Sequence, residues 1–133
     1  MRSDAFRRAV EALDLEATMA TFSSSLVMHS PVRDKPLHGK ESMAPLFAIL
    51  LRVFEDLRFV GSYRSVADGA ELLHFRWRLG DQEVEGIDLL HFDDDGLIDE
   101  YTVMVRPLSA LVGLRDAVWS QLPDTSATPQ DTS

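Results

Sequence analysis

The sequence predicts an α+β fold: helices first, then an antiparallel β-sheet with the helices packed on one of its faces. Three observations carry this. Apolar residues recur at helical spacing in the first half of the chain, and from Arg58 onward they alternate with polar ones. Clusters of turn-forming residues at Asp68–Gly69, Gly80–Asp81 and Asp93–Gly96 then cut the alternating region into a meander. At 133 residues the chain suits one domain with one core, over residues 1–122. Residues 123–133, PDTSATPQDTS, are polar and aperiodic and read as a disordered tail.

Taken in order, Phe6, Val10 and Leu13 fall at i, i+4, i+7, with Ser3 as N-cap of a first helix. Asp14 can cap a second, whose stripe is Leu15, Met19 and Phe22. A short strand, Leu26–Ser30, precedes the turn-rich segment PVRDKPLHG. The third helix begins near Ser42 and buries Leu46, Leu50 and Val53, with Phe47 and Phe54 beside them. Pro45 is accommodated there in the first turn. Strands follow at Arg58–Val66, Glu71–Leu79, Val84–Phe92 and Leu97–Val105. Pro107 opens a last helix with Leu108, Leu111, Leu114 and Val118 on one face.

Composition narrows the function classes. A net charge of −9 argues against nucleic acid and against anionic membranes as partners. No apolar run reaches membrane-spanning length, and the N-terminus MRSDAFRRAVEALD lacks the apolar stretch of a signal peptide. The chain has no cysteine, which removes disulfide and thiolate chemistry and makes the cytoplasm the expected location. His38, His74 and His91 have no metal-ligand spacing, so no metal site is expected. The run Asp93–Asp95 fails the EF-hand pattern at Leu97 and reads as a hairpin turn. No glycine-rich nucleotide fingerprint is present, so no cofactor is expected.

The strand VEGIDLLHF carries the chemistry. Alternation puts Val84, Gly86, Asp88, Leu90 and Phe92 on one face, apolar but for one carboxylate. A carboxylate there must be hydrogen-bonded, paired or protonated. Asp88 is either a buried acid satisfied by a backbone amide or by Tyr101, or a pocket acid of raised pKa able to donate to a ligand carbonyl or shuttle a proton.

The order ααβαββββ, the segment HSPVRDKPLHGKES and the hairpin EGIDLLHFDDDGLIDEYTVMVRP resemble the nuclear transport factor 2-like superfamily, over residues 4–120. Within it the chain is most similar to SnoaL-like proteins and ketosteroid isomerases. The resemblance implies a cone-shaped, curved sheet whose concave face, covered by helices, encloses a pocket. Asp88 falls where the isomerases hold a protonated aspartic acid in their oxyanion hole, a borrowed mechanism. Their general-base aspartate corresponds to Ser30, their oxyanion-hole tyrosine to Phe6, and two supporting tyrosines to Phe22 and Phe47. Limonene epoxide hydrolase, another relative, uses an Asp–Arg–Asp set whose arginine position is Gly86 here. Polyketide cyclases of the SnoaL type rely mainly on one acid/base aspartate and are the nearest enzymatic analogue.

The same resemblance turns Tyr101, Val103 and Val105 toward the pocket. There Tyr101 either forms a donor pair with Asp88 or serves as an aromatic wall. His29 points outward by simple alternation, and becomes a base beside the mouth if the strand bends before Pro31. Phe75 and Trp77 line the interior, while Arg76 and Arg78 pair outward with Glu83 and Glu85. Arg106–Pro107 reads as a strand-to-helix corner. Ile87, Leu89, Thr102 and Met104 form an apolar outer patch, and since relatives pair through this face, a twofold homodimer is expected. The candidate catalytic residues are therefore Asp88, Tyr101 and His29. The candidate ligand-binding residues are Phe6, Phe22, Ser30, Phe47, Phe75, Trp77 and Val103. The implied function is binding of a small hydrophobic ligand with a carbonyl or hydroxyl group, with proton transfer of the isomerase or cyclase type. The alternative is a non-catalytic ligand-binding or dimerisation module.

Overall fold

In the computed structural model, which describes residues 1–121, helix α1 spans Asp4–Glu11 and buries Phe6, Ala9 and Val10. It ends two residues earlier than the periodicity predicts, because Leu13 adopts a left-handed φ of 56° and its side chain is exposed. Ser3 makes no side-chain cap. Its backbone N–H instead reaches the Glu71 carboxylate at 2.9 Å. Asp14 does cap α2 (Leu15–Met19), accepting from the Ala17 N–H at 3.0 Å.

Phe22 belongs to strand β1 (Phe22–His29) and not to the second helix, where the i+7 spacing had placed it. The turn-rich segment contains a two-residue strand, β2 (Leu37–His38), paired antiparallel with β1. Helix α3 (Lys40–Val53) starts at Gly39, whose φ of 90° favours glycine. Pro45 consequently sits in the second turn and not the first, where it removes the N–H that would reach the Glu41 carbonyl.

The meander comprises β3 (Glu55–Arg64), β4 (Glu71–Leu79), β5 (Gln82–Phe92) and β6 (Ile98–Arg106), followed by α4 (Leu108–Trp119). On α4 the buried residues are Ala110, Leu114 and Val118, and Leu108 is exposed at the first position. The six-stranded sheet runs β2-β1-β6-β5-β4-β3, curved and unclosed. It is antiparallel except at β1–β6, which is parallel and places Met28 beside Tyr101. Register shifts on β3–β4, β5–β6 and β1–β6 are bulges, and bulges bend strands and increase their twist.

The concave face is filled by two apolar clusters. One gathers Phe6, Phe22, Phe47 and Tyr101, and the other Phe75, Trp77, Leu114 and Val118. Leu46, Phe54, Leu57, Phe59 and Val103 pack against both. Each fully buried large side chain contributes about 1.5–3 kcal/mol, so this seam between helices and sheet is where the fold gains its stability. No helix among the described residues is long and apolar enough to cross a membrane. The expected disordered tail, residues 123–133, lies outside the described residues.

Candidate functional site

Strict alternation along β5 turns Val84, Gly86, Asp88 and Leu90 inward. Asp88 is only 4% exposed, so its carboxyl group is out of water. The β5–β6 register sets Asp88 opposite Val103 and Leu90 opposite Tyr101. Tyr101 is thus the diagonal neighbour of Asp88 on the same face, within reach of a long side chain. Its hydroxyl hydrogen-bonds the Asp88 carboxyl. Burial pushes the Asp88 pKa up to about 7, and the Tyr101 hydrogen bond opposes this only in part. Burial, then the charge and hydrogen bond of Asp88, hold the Tyr101 phenol well above its ordinary value, so it stays protonated.

Asp88 and Tyr101 face an apolar cavity at the junction of the two clusters, with about 70 Å³ open to the centre of a water-sized group. Phe75, Trp77, Val103 and Val105 wall it on the sheet side, and Leu46, Phe47 and Leu50 on the helix side. Asp88 and Tyr101 are the titratable residues among those lining it. Ser30 stands at one end with Pro31 and Val32, and its hydroxyl accepts the Val32 N–H at 3.1 Å.

Of the residues singled out in the sequence, the fold brings Phe6, Ser30, Phe47, Phe75, Trp77, Asp88, Tyr101 and Val103 to this cavity. Two lie elsewhere. Phe22 backs the wall, its ring 5.9 Å from Phe6, 5.6 Å from Phe47 and 5.8 Å from Tyr101 between centroids. His29 keeps the outward parity of its strand, and its Nε2 lies 2.9 Å from a Glu100 carboxylate oxygen. The bend that would have brought it to the mouth does not occur.

Gly86 explains why no arginine stands beside Asp88. A Cβ there would lie 2.4 Å from the Met104 carbonyl oxygen and 2.5 Å from the Phe75 ring. The ring occupies the space a side chain would need.

Leu57 and Phe59 also line the cavity, as does Phe54, and the sequence reading did not include them as walls. Starting the strand at Arg58 concealed their alternation, although Leu57 and Phe59 are two residues apart. Also missed was Glu71, 1% exposed at the start of β4. It accepts the N–H groups of Arg2 at 3.1 Å and Ser3 at 2.9 Å, and lies 3.6 Å from Arg64. Burial raises its pKa, but the hydrogen bonds from Ser3 and Arg2 and the Arg64 charge outweigh that and leave it lowered. Glu71 thereby ties down the start of α1, which supplies Phe6 and Val10 to the cavity.

The outer face carries Ile87, Leu89, Thr102 and Met104, of which Met104 is 53% exposed. Beside them Glu85 gathers His74 at 2.6 Å, with Arg76 and Arg106 at 3.0 Å. The expected Arg78–Glu83 pair is replaced: Arg58, from β3, reaches Glu83 at 2.8 Å. No three His, Cys, Asp or Glu residues among the described residues come together as a metal site.

A curved, unclosed sheet wrapped around helices is the architecture of the nuclear transport factor 2-like proteins. The chain belongs to the SnoaL-like domain family, which matches residues 4–101. Among solved structures it is similar to a steroid delta-isomerase from Pseudomonas aeruginosa. The two are 31% identical, with a TM-score of 0.82, over 88% of this chain and 85% of that one. It is also similar to an uncharacterized protein with a cystatin-like fold from Silicibacter pomeroyi DSS-3, at 22% identity and TM-score 0.83, covering 90% and 84%. The fold is shared with SalBIII, an epoxide hydrolase/cyclase-like enzyme of pyran ring formation in salinomycin, at 13% identity and TM-score 0.69, covering 80% and 89%. No curated protein sequence matches the chain.

Proposed function

We propose that the protein binds a small apolar ligand bearing a carbonyl or hydroxyl oxygen and moves a proton on it with Asp88. The observation that carries this is a carboxyl group buried beside Tyr101 in an apolar cavity, where burial pushes its pKa up to about 7. A group with that pKa is present at neutral pH both as acid and as base. As the carboxylate, Asp88 takes a proton from the carbon next to a carbonyl. The electron pair of that C–H bond passes into an enolate, whose oxygen accepts the Tyr101 O–H as that hydroxyl turns away from the newly protonated Asp88. The protonated Asp88 then returns the proton to the same or a conjugated carbon.

This differs from three-group steroid isomerisation. Ser30 at the base position brings no titratable group, and Phe6 brings no hydroxyl. Similarity to a steroid delta-isomerase supports proton transfer of the isomerase type. The single acidic residue supports the second reading, a module that binds such a ligand without turnover.

Incubating a panel of small cyclic ketones with the protein in D2O, and following carbon-bound hydrogen exchange by NMR, separates the two. The expected result is exchange that Asp88→Asn slows by about 10²–10⁴-fold, the range for loss of a general acid–base group. Full exchange in the variant removes Asp88 from the mechanism, and binding without exchange selects the non-catalytic module.

We also read the Ile87, Leu89, Thr102 and Met104 face as the seat of a twofold homodimer, in a protein of the cytoplasm. Met104→Glu should then give a monomer in sedimentation velocity, and an unmodified protein already monomeric at micromolar concentration would refute the dimer.

A further inference from the structure

β1 runs parallel to β6, with Met28 beside Tyr101 and His29 beside Thr102. The same register carried one residue past the end of β1 sets Ser30 beside Val103, whose other neighbour is Asp88 on β5. Ser30, Val103 and Asp88 therefore stand in one row across three adjacent strands, and all three line the cavity. Met28 is buried and His29 is turned outward to Glu100, so alternation turns Ser30 inward like Met28. Two strand spacings put the Cα atoms of Ser30 and Asp88 about 10 Å apart. Side chains on the concave face of a curved sheet converge, so their polar ends come closer than that, with Val103 as the apolar floor between them. Ser30 Oγ accepts the Val32 N–H at 3.1 Å, which leaves the hydroxyl hydrogen to donate. The cavity thus has two polar stations, the Asp88–Tyr101 pair and the Ser30 hydroxyl. Among the described residues no Arg, Lys or His lines it, so an anionic group on a ligand would be buried without a partner.

We propose that the ligand carries two uncharged oxygens a short carbon chain apart: a ketone oxygen held at Asp88 and Tyr101, and a second carbonyl or hydroxyl oxygen that accepts the Ser30 O–H. Ser30 is then a specificity-determining residue, which selects a doubly oxygenated molecule over one with a single ketone. This rests on the proton-transfer reading above and adds the class of ligand. The carbon chain between the two oxygens lies over Val103, and the reacting C–H group is next to the ketone at Asp88. Ser30 takes no part in moving the proton. It fixes which end of the molecule faces Asp88, because only one end can reach each station at a time.

The experiment titrates the full chain by NMR with straight-chain methyl ketones, and with diketones of the same length whose second carbonyl lies two, three or four carbons from the first. At one spacing the diketone should bind about two- to tenfold more tightly than its monoketone, the worth of one neutral hydrogen bond. The ratio of the two affinities carries the test, since it cancels any general change in the cavity. Ser30→Ala should bring the ratio to about one, and Ser30→Thr, which keeps the hydroxyl, should preserve a ratio above one. If the Ser30 hydroxyl donates to solvent instead, diketones gain nothing at any spacing. That result, or a preference that survives Ser30→Ala, overturns the second station while leaving the cavity reading intact. If neither series binds, the cavity reading falls, and the role of Ser30 with it.

Discussion

Substituting Asp88→Asn should make the protein more stable than wild type at pH 8 and nearly equal to it at pH 4. An aspartate of the unfolded chain titrates near 3.8, whereas the buried Asp88 titrates at about 7. Between those values the folded state holds a proton that the unfolded state has released, so stability falls as pH rises. Each pH unit across that window removes about 1.4 kcal/mol, and the whole span corresponds to about 4 kcal/mol for one fully buried group. Asparagine is nearly isosteric and neutral throughout, so it does not incur this loss. Other carboxylates act in the opposite sense. Glu71 and Glu85 have lowered pKa values, and their contributions are lost as pH falls through the acid range. The informative quantity is therefore the difference between variant and wild type, in which those groups cancel. Urea unfolding at intervals from pH 4 to pH 8 gives it directly. Parallel profiles, with a difference that does not change with pH, would refute the argument that Asp88 is held neutral by burial.

Glu71→Gln removes the charge that accepts two backbone N–H groups of the N-terminal segment, and should cost about 2–3 kcal/mol. Urea unfolding at pH 7 checks it, with hydrogen exchange reporting whether α1 loosens first. A midpoint equal to wild type would mean that α1 is held by Phe6 and Val10 alone. Gly86→Ala places a methyl group 2.4 Å from the Met104 carbonyl oxygen and 2.5 Å from the Phe75 ring, so the strand backbone must shift and the ring must move as well. A loss of about 1–3 kcal/mol is expected from this overpacking, read as a lowered Tm. An unchanged Tm would show that the β5–β6 backbone and the Phe75 ring both yield at little cost.

How much was legible in the sequence depended on whether the deciding interaction was local. The β5–turn–β6 hairpin was readable because alternation and the turn residues Asp93–Gly96 agree, and that agreement located Asp88 on the inner face. Tyr101 followed from the same parity, but whether its hydroxyl meets Asp88 depends on register, which a hairpin fixes only approximately. Phe22 was misplaced because Leu15, Met19 and Phe22 satisfy a helical period that the chain abandons after Met19. Leu13 likewise satisfies the period but lies on a left-handed turn. The role of Glu71 was not legible, although it shares a parity with Leu73, Phe75 and Trp77. Its partners, the amides of Arg2 and Ser3, are distant in sequence and carry no side-chain signal. The parallel pairing of β1 with β6 left no local trace at all.

That pairing has a consequence for how the protein is made. β1 leaves the ribosome well before its neighbour in the middle of the sheet, β6, which is the last of the six strands. Until β6 emerges, β1 has only the two-residue β2 beside it, and the Met28 side of the cavity has no floor. The β3–β4–β5 meander can form earlier from neighbouring segments. Closure of the cone waits for β6, as expected when a fold depends on contacts between distant parts of the chain. The cavity is therefore complete only once β6 has joined, since it draws on α1, which precedes all six strands, and on α4, which follows them. A nascent chain stalled before β6 would lack Tyr101 and would expose the aromatic surface that the finished protein encloses.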